Sequence, residues 1–293
     1  MNSQPTRAGK PDCVSDLLLD AIVCLSETLT LSKQIARLET RILAAFAWNV
    51  APSWLLAHDT DSLNLEQVMH FQTLLHRRLR GEPIAYITAY REFYGRKFHV
   101  TPDVLIPRPE TELLVELALA KIPHDHTIEV LELGTGSGCI AVSLALERPQ
   151  VKITAVENSS AALNIAKINA DRLHADLELL KSDWFVAVQH RKFDLIVSNP
   201  PYIAAHDAHL SCGDVRFEPS AALKSGSTGT NDLQYIIDLA PGFLKPGGCL
   251  LVEHGFDQRI AVHNIMLRAG YNDIHHWQDL AKQDRVSSGK ASK

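Results

Sequence analysis

The run Asp194-Leu195-Ile196-Val197-Ser198-Asn199-Pro200-Pro201-Tyr202 joins a short apolar stretch to an amide, two prolines and an aromatic ring. Proline lacks an N–H and fixes φ, and a residue that precedes proline avoids the α region. Asn199 and Pro200 each precede a proline. The chain leaving the strand is therefore stiff and extended, with the Asn199 side chain and the Pro200 carbonyl held in fixed directions. Both are hydrogen-bond acceptors. A planar NH2 group can donate one hydrogen to each while Tyr202 covers its face, which leaves the nitrogen open along one direction. An ordinary strand-ending turn uses the same residue types, so the neighbouring segments decide between the two readings.

A second constellation lies upstream. Val130-Leu131-Glu132-Leu133-Gly134-Thr135-Gly136-Ser137-Gly138-Cys139-Ile140-Ala141 reads as a strand, a glycine-rich turn and the start of a helix. Glycines let backbone approach a ligand closely. Cys139 stands where a dinucleotide fingerprint has its last glycine, and no P-loop lysine follows, which favours S-adenosylmethionine over NAD or ATP. The next apolar run ends at Glu157, 19 residues beyond Gly138, where a carboxylate can accept both ribose hydroxyls of a nucleoside. The third ends in Ser182-Asp183-Trp184-Phe185, a polar edge and a flat ring suited to adenine, although tryptophan is more often plain core. Three successive strand ends, each suited to one part of the same ligand, are more specific than any one of them.

The elements that must position these groups follow from periodicity. Residues 1–11 are polar and are expected to fray. From Cys13 to Arg80 apolar residues recur at helical spacing, with the basic cluster His76-Arg77-Arg78-Leu79-Arg80 near the end. Glu92 to Val100 reads as a hairpin around Gly95-Arg96. Candidate strands then fall at 128–133, 152–156, 177–180, 193–198, 249–253 and 273–276, with helical patterns between most of them. That alternation predicts an α/β fold, a parallel sheet with helices on both faces, whose site lies beyond the C-terminal strand ends. The stretch 203–230 after Tyr202 carries Phe217-Glu218-Pro219 and is expected to form a flap over the site.

Composition narrows the partners. The 293 residues carry a net charge of −5. Up to Arg108 there are 12 basic and 11 acidic side chains, which leaves 17 and 23 for the remainder. Neither part has the basic excess of a protein that grips duplex DNA through many phosphates. Five widely spaced cysteines without a CxxC pair suit a reducing compartment and so the cytoplasm. No His, Cys or carboxylate set has zinc-ligand spacing, and no metal is expected. Neither a signal peptide nor an apolar run long enough to span a bilayer is found, and no membrane association is expected.

Over nearly its whole length the chain resembles the release-factor glutamine methyltransferases (PrmC/HemK), within the class I, Rossmann-like, S-adenosylmethionine-dependent methyltransferases. The segments that carry the resemblance are Gly81-Glu82-Pro83-Ile84-Ala85-Tyr86-Ile87, Glu92-Phe93-Tyr94-Gly95, Leu105-Ile106-Pro107-Arg108-Pro109-Glu110-Thr111-Glu112, Asn199-Pro200-Pro201-Tyr202, Phe217-Glu218-Pro219 and Asp284-Arg285-Val286. Ala89, Ser182 and Lys282 stand where that family usually has glycine, and Glu132 and Glu157 where it often has aspartate. The resemblance implies a helical substrate-recognition domain over 12–83, a hairpin connector over 84–108 and a methyltransferase domain over 109–290 built on a mostly parallel sheet with helices on both faces. It implies that S-adenosylmethionine is held by Gly134, Thr135, Gly136, Ser137, Gly138, Glu157, Trp184 and Asn199. The acceptor would be the glutamine amide of the Gly-Gly-Gln loop of bacterial peptide release factors, bound by Asn199, Pro200, Pro201 and Tyr202, with Asn199, Pro200 and Tyr202 catalytic. A monomer without a stable nucleic-acid partner is expected. Methylation of an exocyclic amine of adenine fits the same acceptor geometry and is the alternative, though it would need a base-flipping surface and a basic groove.

Overall fold

The structure is a computed structural model that describes residues 13–291; the N-terminal stretch expected to fray lies outside the described residues. The chain divides into two compact units, one reaching Thr88 and the other beginning at Ala89.

The first unit is helical: α1 (Val14–Thr28), α2 (Lys33–Trp48), α3 (Trp54–Ala57), α4 (Leu65–Leu79) and α5 (Ile84–Thr88). Local chemistry sets their ends. Ser32 accepts from the Ile35 N–H at the start of α2, and Asn64 and Gln67 form a reciprocal capping box on α4. Leu17, Leu25, Leu43, Phe71 and Leu74 supply the core. Arg78, buried in this unit, pairs with Glu39 at 2.8 Å and donates to the Gly81 and Glu82 carbonyls. The sequence reading had placed α5 in the connector; here Ile87 is part of the helical core.

The second unit opens with the hairpin β1 (Tyr90–Phe93) and β2 (Arg96–His99). It continues through α6 (Glu112–Lys121), β3 (Glu129–Leu133), α7 (Cys139–Glu147), β4 (Lys152–Glu157), α8 (Ser160–Leu173), β5 (Glu178–Lys181) and β6 (Phe193–Ser198). Then follow α9 (Asn231–Leu239), β7 (Leu244–Glu253), α10 (Arg259–Arg268), β8 (Asn272–Gln278) and β9 (Asp284–Lys290). The seven-stranded sheet has the order β5-β4-β3-β6-β7-β9-β8. Its first five strands are parallel, and β9 runs antiparallel to both β7 and β8. Reading the sequence strand by strand found six of these seven and missed β9; the sheet is the mostly parallel one that the resemblance implies.

Helices cover both faces, which is why the central strands are apolar almost throughout. Val130, Ile153, Leu195, Val197 and Leu251 pack on α6 and α7, while Leu131, Leu133, Ile196, Leu250 and Val252 pack on α9 and α10. The hairpin is part of this body, since Phe93 and Phe98 are fully buried in the first of those cores. Among the described residues no helix is long and apolar enough to cross a membrane.

Candidate active site

The C-terminal ends of β3, β4, β5 and β6 converge on a cavity of about 620 Å³. Gly134, Thr135, Gly136, Ser137, Glu157, Asp183, Trp184, Asn199 and Pro201 line it, together with Arg108, Thr111, Glu132 and Asn158, to which spacing assigns no place in the wall. Gly138 is absent from the wall. It stands at the start of α7 with φ +82, where a Cβ would meet the Cα and Cβ of Ala166 at 3.3 Å, so it serves the packing of α7 on α8.

Each wall residue is fixed by its neighbours. The Gly134 and Thr135 N–H groups donate to the Val156 carbonyl at 2.9 and 3.0 Å, which sets the turn across the end of β4. The ring of Trp184 lies over Gly134, 3.4 Å from where a Cβ would be. Trp184 itself has φ +46, and Ser182 braces that turn by donating to the Trp184 carbonyl and accepting from the Ala187 N–H. The serine that replaces the family's glycine therefore adds two hydrogen bonds. Glu157 accepts from the Gly136 N–H at 2.9 Å and the Ser159 N–H at 2.8 Å. Two carboxylate oxygens hold about four lone pairs, so acceptor capacity remains toward the cavity. Glu132, buried beneath the turn, accepts from the Thr135 hydroxyl at 2.6 Å and the Ala141 N–H at 3.0 Å and so caps α7. Burial pushes its carboxyl up to about 7 against those two donors.

A second, smaller cavity of about 160 Å³ is lined by Leu105, Arg108, Asn199, Pro200, Tyr202, Ile203, Val215, Ala222 and Leu223. Asn199 belongs to both walls. Ser198 fixes the strand end before it by donating to the Leu133 carbonyl at 2.9 Å. Asn199 Nδ2 donates to Thr111 Oγ1 at 3.2 Å. Among the described residues nothing donates to Asn199 Oδ1 or to the Pro200 carbonyl, which leaves both as acceptors. Tyr202 presents its ring to the small cavity, while its hydroxyl donates to Glu253 Oε1 at 3.3 Å. Burial pushes that phenol well above its ordinary range, so it stays protonated.

The segment expected to act as a flap is tied down on two sides. Ile203 N–H donates to the Leu223 carbonyl, and Ser225 N–H returns to the Ile203 carbonyl, both at 2.9 Å. The Glu218 carboxylate is wholly buried, pairs with Arg108 and accepts from the Ile106 N–H at 3.2 Å. Thr111, Glu218 and Glu253 hold the wall residues Asn199, Arg108 and Tyr202, and spacing alone does not reveal them. The one signal available for Glu253 was a carboxylate at the C-terminal end of a strand neighbouring Asn199.

A glycine turn, an acidic strand end and an Asn-Pro-Pro-Tyr strand end on a sheet of this order define a class I methyltransferase. Comparisons agree: the family described as Methyltransferase small domain matches residues 110–227, and the PrmC N-terminal domain matches residues 19–88. The release factor glutamine methyltransferase of Bordetella pertussis is 48% identical over 256 residues, covering 87% of this chain and 95% of that protein. The same-named protein of Salmonella typhimurium is 45% identical, covering 87% and 92%. The chain belongs to the release factor glutamine methyltransferase family. A methyltransferase from Pyrococcus furiosus shares the fold with a TM-score of 0.54 at 18% identity, covering 76% of this chain and all of that one.

Proposed function

We propose that this protein uses S-adenosylmethionine to methylate the side-chain amide nitrogen of the glutamine in the Gly-Gly-Gln loop of bacterial peptide release factors. One observation carries the reading: the large cavity and the small one share Asn199, whose amide nitrogen is held by Thr111 and whose amide oxygen is left as an acceptor, while Pro200 and Tyr202 line the small slot. The large cavity suits a nucleoside. Its glycine turn leaves room for backbone to approach, Glu157 retains acceptor capacity for ribose hydroxyls, and Trp184 offers a ring face. S-adenosylmethionine would supply an electrophilic methyl group there.

An amide nitrogen is a poor nucleophile because its lone pair is delocalised, and no side chain near neutral pH removes its proton first. Positioning therefore does most of the work, and a well-oriented pair of reactants can gain about 7–11 kcal/mol over free encounter. Asn199 Oδ1 and the Pro200 carbonyl accept the two amide hydrogens and stabilise the positive charge that develops on nitrogen. Tyr202 bounds the amide plane. The proton leaves after transfer, once the nitrogen has become acidic. The protein works in the cytoplasm as a monomer, with the helical unit as the surface that recognises the release factor.

The test is to incubate the protein with methyl-labelled cofactor, a bacterial release factor and a DNA duplex together. Peptide mapping should place the label on the Gly-Gly-Gln glutamine, and label in the duplex would overturn the reading. Asn199→Ala should lower the single-turnover rate by about 100-fold or more, as for loss of an aimed polar group. Its affinity for S-adenosylhomocysteine should change by about tenfold at most, because it removes a partner of the substrate amide. A rate within threefold of wild type would make Asn199 a turn residue.

A further inference from the structure

Glu253 ends β7 beside the strand that delivers Asn199, and it is 1% exposed. It lines neither cavity, so it does not reach the substrate. Its Oε1 accepts from the Tyr202 hydroxyl, whereas Oε2 is buried with no hydrogen-bond partner among the described residues. Leaving a carboxylate oxygen so is costly. Burial pushes the acid up to about 7; the neighbouring Thr111 hydroxyl opposes this first, followed by Arg285 and Tyr202, while Glu110 adds to the rise. Cys139 also feels the charge of Glu253.

Thr111 is the second part of the arrangement. The residue is 2% exposed and its hydroxyl accepts from Asn199 Nδ2; it neighbours Glu253 and lowers that acid, although neither Glu253 oxygen is within hydrogen-bond geometry of it in this structure. A hydroxyl both donates and accepts, so Thr111 alone cannot choose which end of the Asn199 amide it faces. An ionised Glu253 decides the matter. It can only accept, so the Thr111 hydrogen turns toward it and the Thr111 lone pairs are left for Asn199. Nδ2 then points inward, and Oδ1 points to the slot. A protonated Glu253 can donate to Thr111 instead, which frees the Thr111 hydrogen to meet Asn199 and lets the amide turn its NH2 to the substrate.

Building on the role proposed for Asn199, we infer that Glu253 is a positioning residue that, through Thr111 and Tyr202, sets the hydrogen-bond polarity of the amide slot. The charged or titratable groups facing it are Tyr202, Arg285, Glu110 and the Cys139 thiol. Of these, Tyr202 and Cys139 are held protonated by burial through the neutral range; Glu132, beneath the glycine turn, is also pushed up to about 7, so it is the flattening of the profile in Glu253→Gln that assigns a pH response near 7 to Glu253.

The test compares wild type with Glu253→Gln, Thr111→Val and Thr111→Ser on an intact release factor between pH 5.5 and 8.5. Wild-type kcat should fall roughly tenfold toward acid with a midpoint near 7. Glu253→Gln should lower kcat at pH 8 by about 10- to 100-fold and flatten that profile, with KM and the Kd for S-adenosylhomocysteine within threefold. Thr111→Val should behave alike, and Thr111→Ser should recover most of the rate. In crystals of Glu253→Gln the Asn199–Thr111 hydrogen bond should lengthen or be lost. Wild-type kcat and an unaltered pH profile in both Glu253→Gln and Thr111→Val would overturn the inference while leaving the proposed function standing. A wild type that binds S-adenosylhomocysteine but methylates no glutamine overturns both.

Discussion

Glu157 holds two backbone N–H groups of the cavity wall and faces the cavity with what remains. Glu157→Ala should weaken S-adenosylmethionine and S-adenosylhomocysteine together by roughly 1.5–3 kcal/mol, the range for hydrogen bonds to a charged group; calorimetry that finds both affinities unchanged removes it from the nucleoside site. Glu132 has a different consequence. Its carboxyl is raised from 4.5 to about 7 by burial, so the fold favours the protonated acid. The folded pKa lies above the unfolded one, so this group's stabilising contribution is full below about 4.5 and is lost as pH rises through about 7. Glu132→Gln should therefore gain stability relative to wild type between pH 5 and pH 8, by on the order of 2–3 kcal/mol. Denaturant midpoints at the two pH values decide, and a difference that does not change with pH would mean the acid is not titrating where burial places it.

Two turns show what a family's glycines are for. Ala89 and Lys282 have φ of +61 and +63, a region that costs an L residue roughly 1–2 kcal/mol. Lys282 sits between β8 and β9, where its N–H donates to the Asp279 carbonyl and Asp279 in turn binds Gln283. Lys282→Gly keeps that turn and removes the strain, less the entropy a glycine gives up, so the net gain should be about 0.5–1 kcal/mol; a lower thermal midpoint would refute it. The neighbouring strands also mark where the sequence could be read. β3, β4 and β6 were legible because burial on both faces makes them continuous apolar runs, and the glycine turn and Asn199 follow those runs directly. β9 was not. Asp284-Arg285-Val286-Ser287-Ser288-Gly289-Lys290 holds one large apolar residue, and it is buried because small side chains fit there: a Cβ on Gly289 would meet Tyr271 at 2.9 Å. The links of Glu253 to Tyr202 and of Asn199 to Thr111 span 51 and 88 residues, and no local spacing encodes them.

At the scale of the molecule, all residues lining the two cavities lie between Asp103 and Asp232, within the unit that begins at Ala89. The slot can read only an amide, so discrimination among glutamine-bearing proteins must come from surface further away. Because Phe93 and Phe98 belong to the core beneath the sheet, the informative truncation begins at Ala89 and keeps the hairpin. That shortened chain should bind S-adenosylhomocysteine normally and lose about 100-fold or more in kcat/KM on an intact release factor, since recognition energy is realised at the reacting centre. On a short Gly-Gly-Gln peptide the two chains should be equally slow. If the shortened chain folds and methylates the intact factor at the full rate, the helical unit is not the recognition surface. The position of β9 has a further consequence, for synthesis. The strand latest in the sequence is not at the rim of the sheet but between β7 and β8, so a ribosome must deliver Asp284–Lys290 before the sheet can close. Until then β7 offers an open row of backbone donors and acceptors along Cys249-Leu250-Leu251-Val252, all buried in the finished fold. Such an edge pairs with whatever strand arrives first. A chain cut short between Glu253 and Asp284 would carry every residue of both cavities on a body that aggregates.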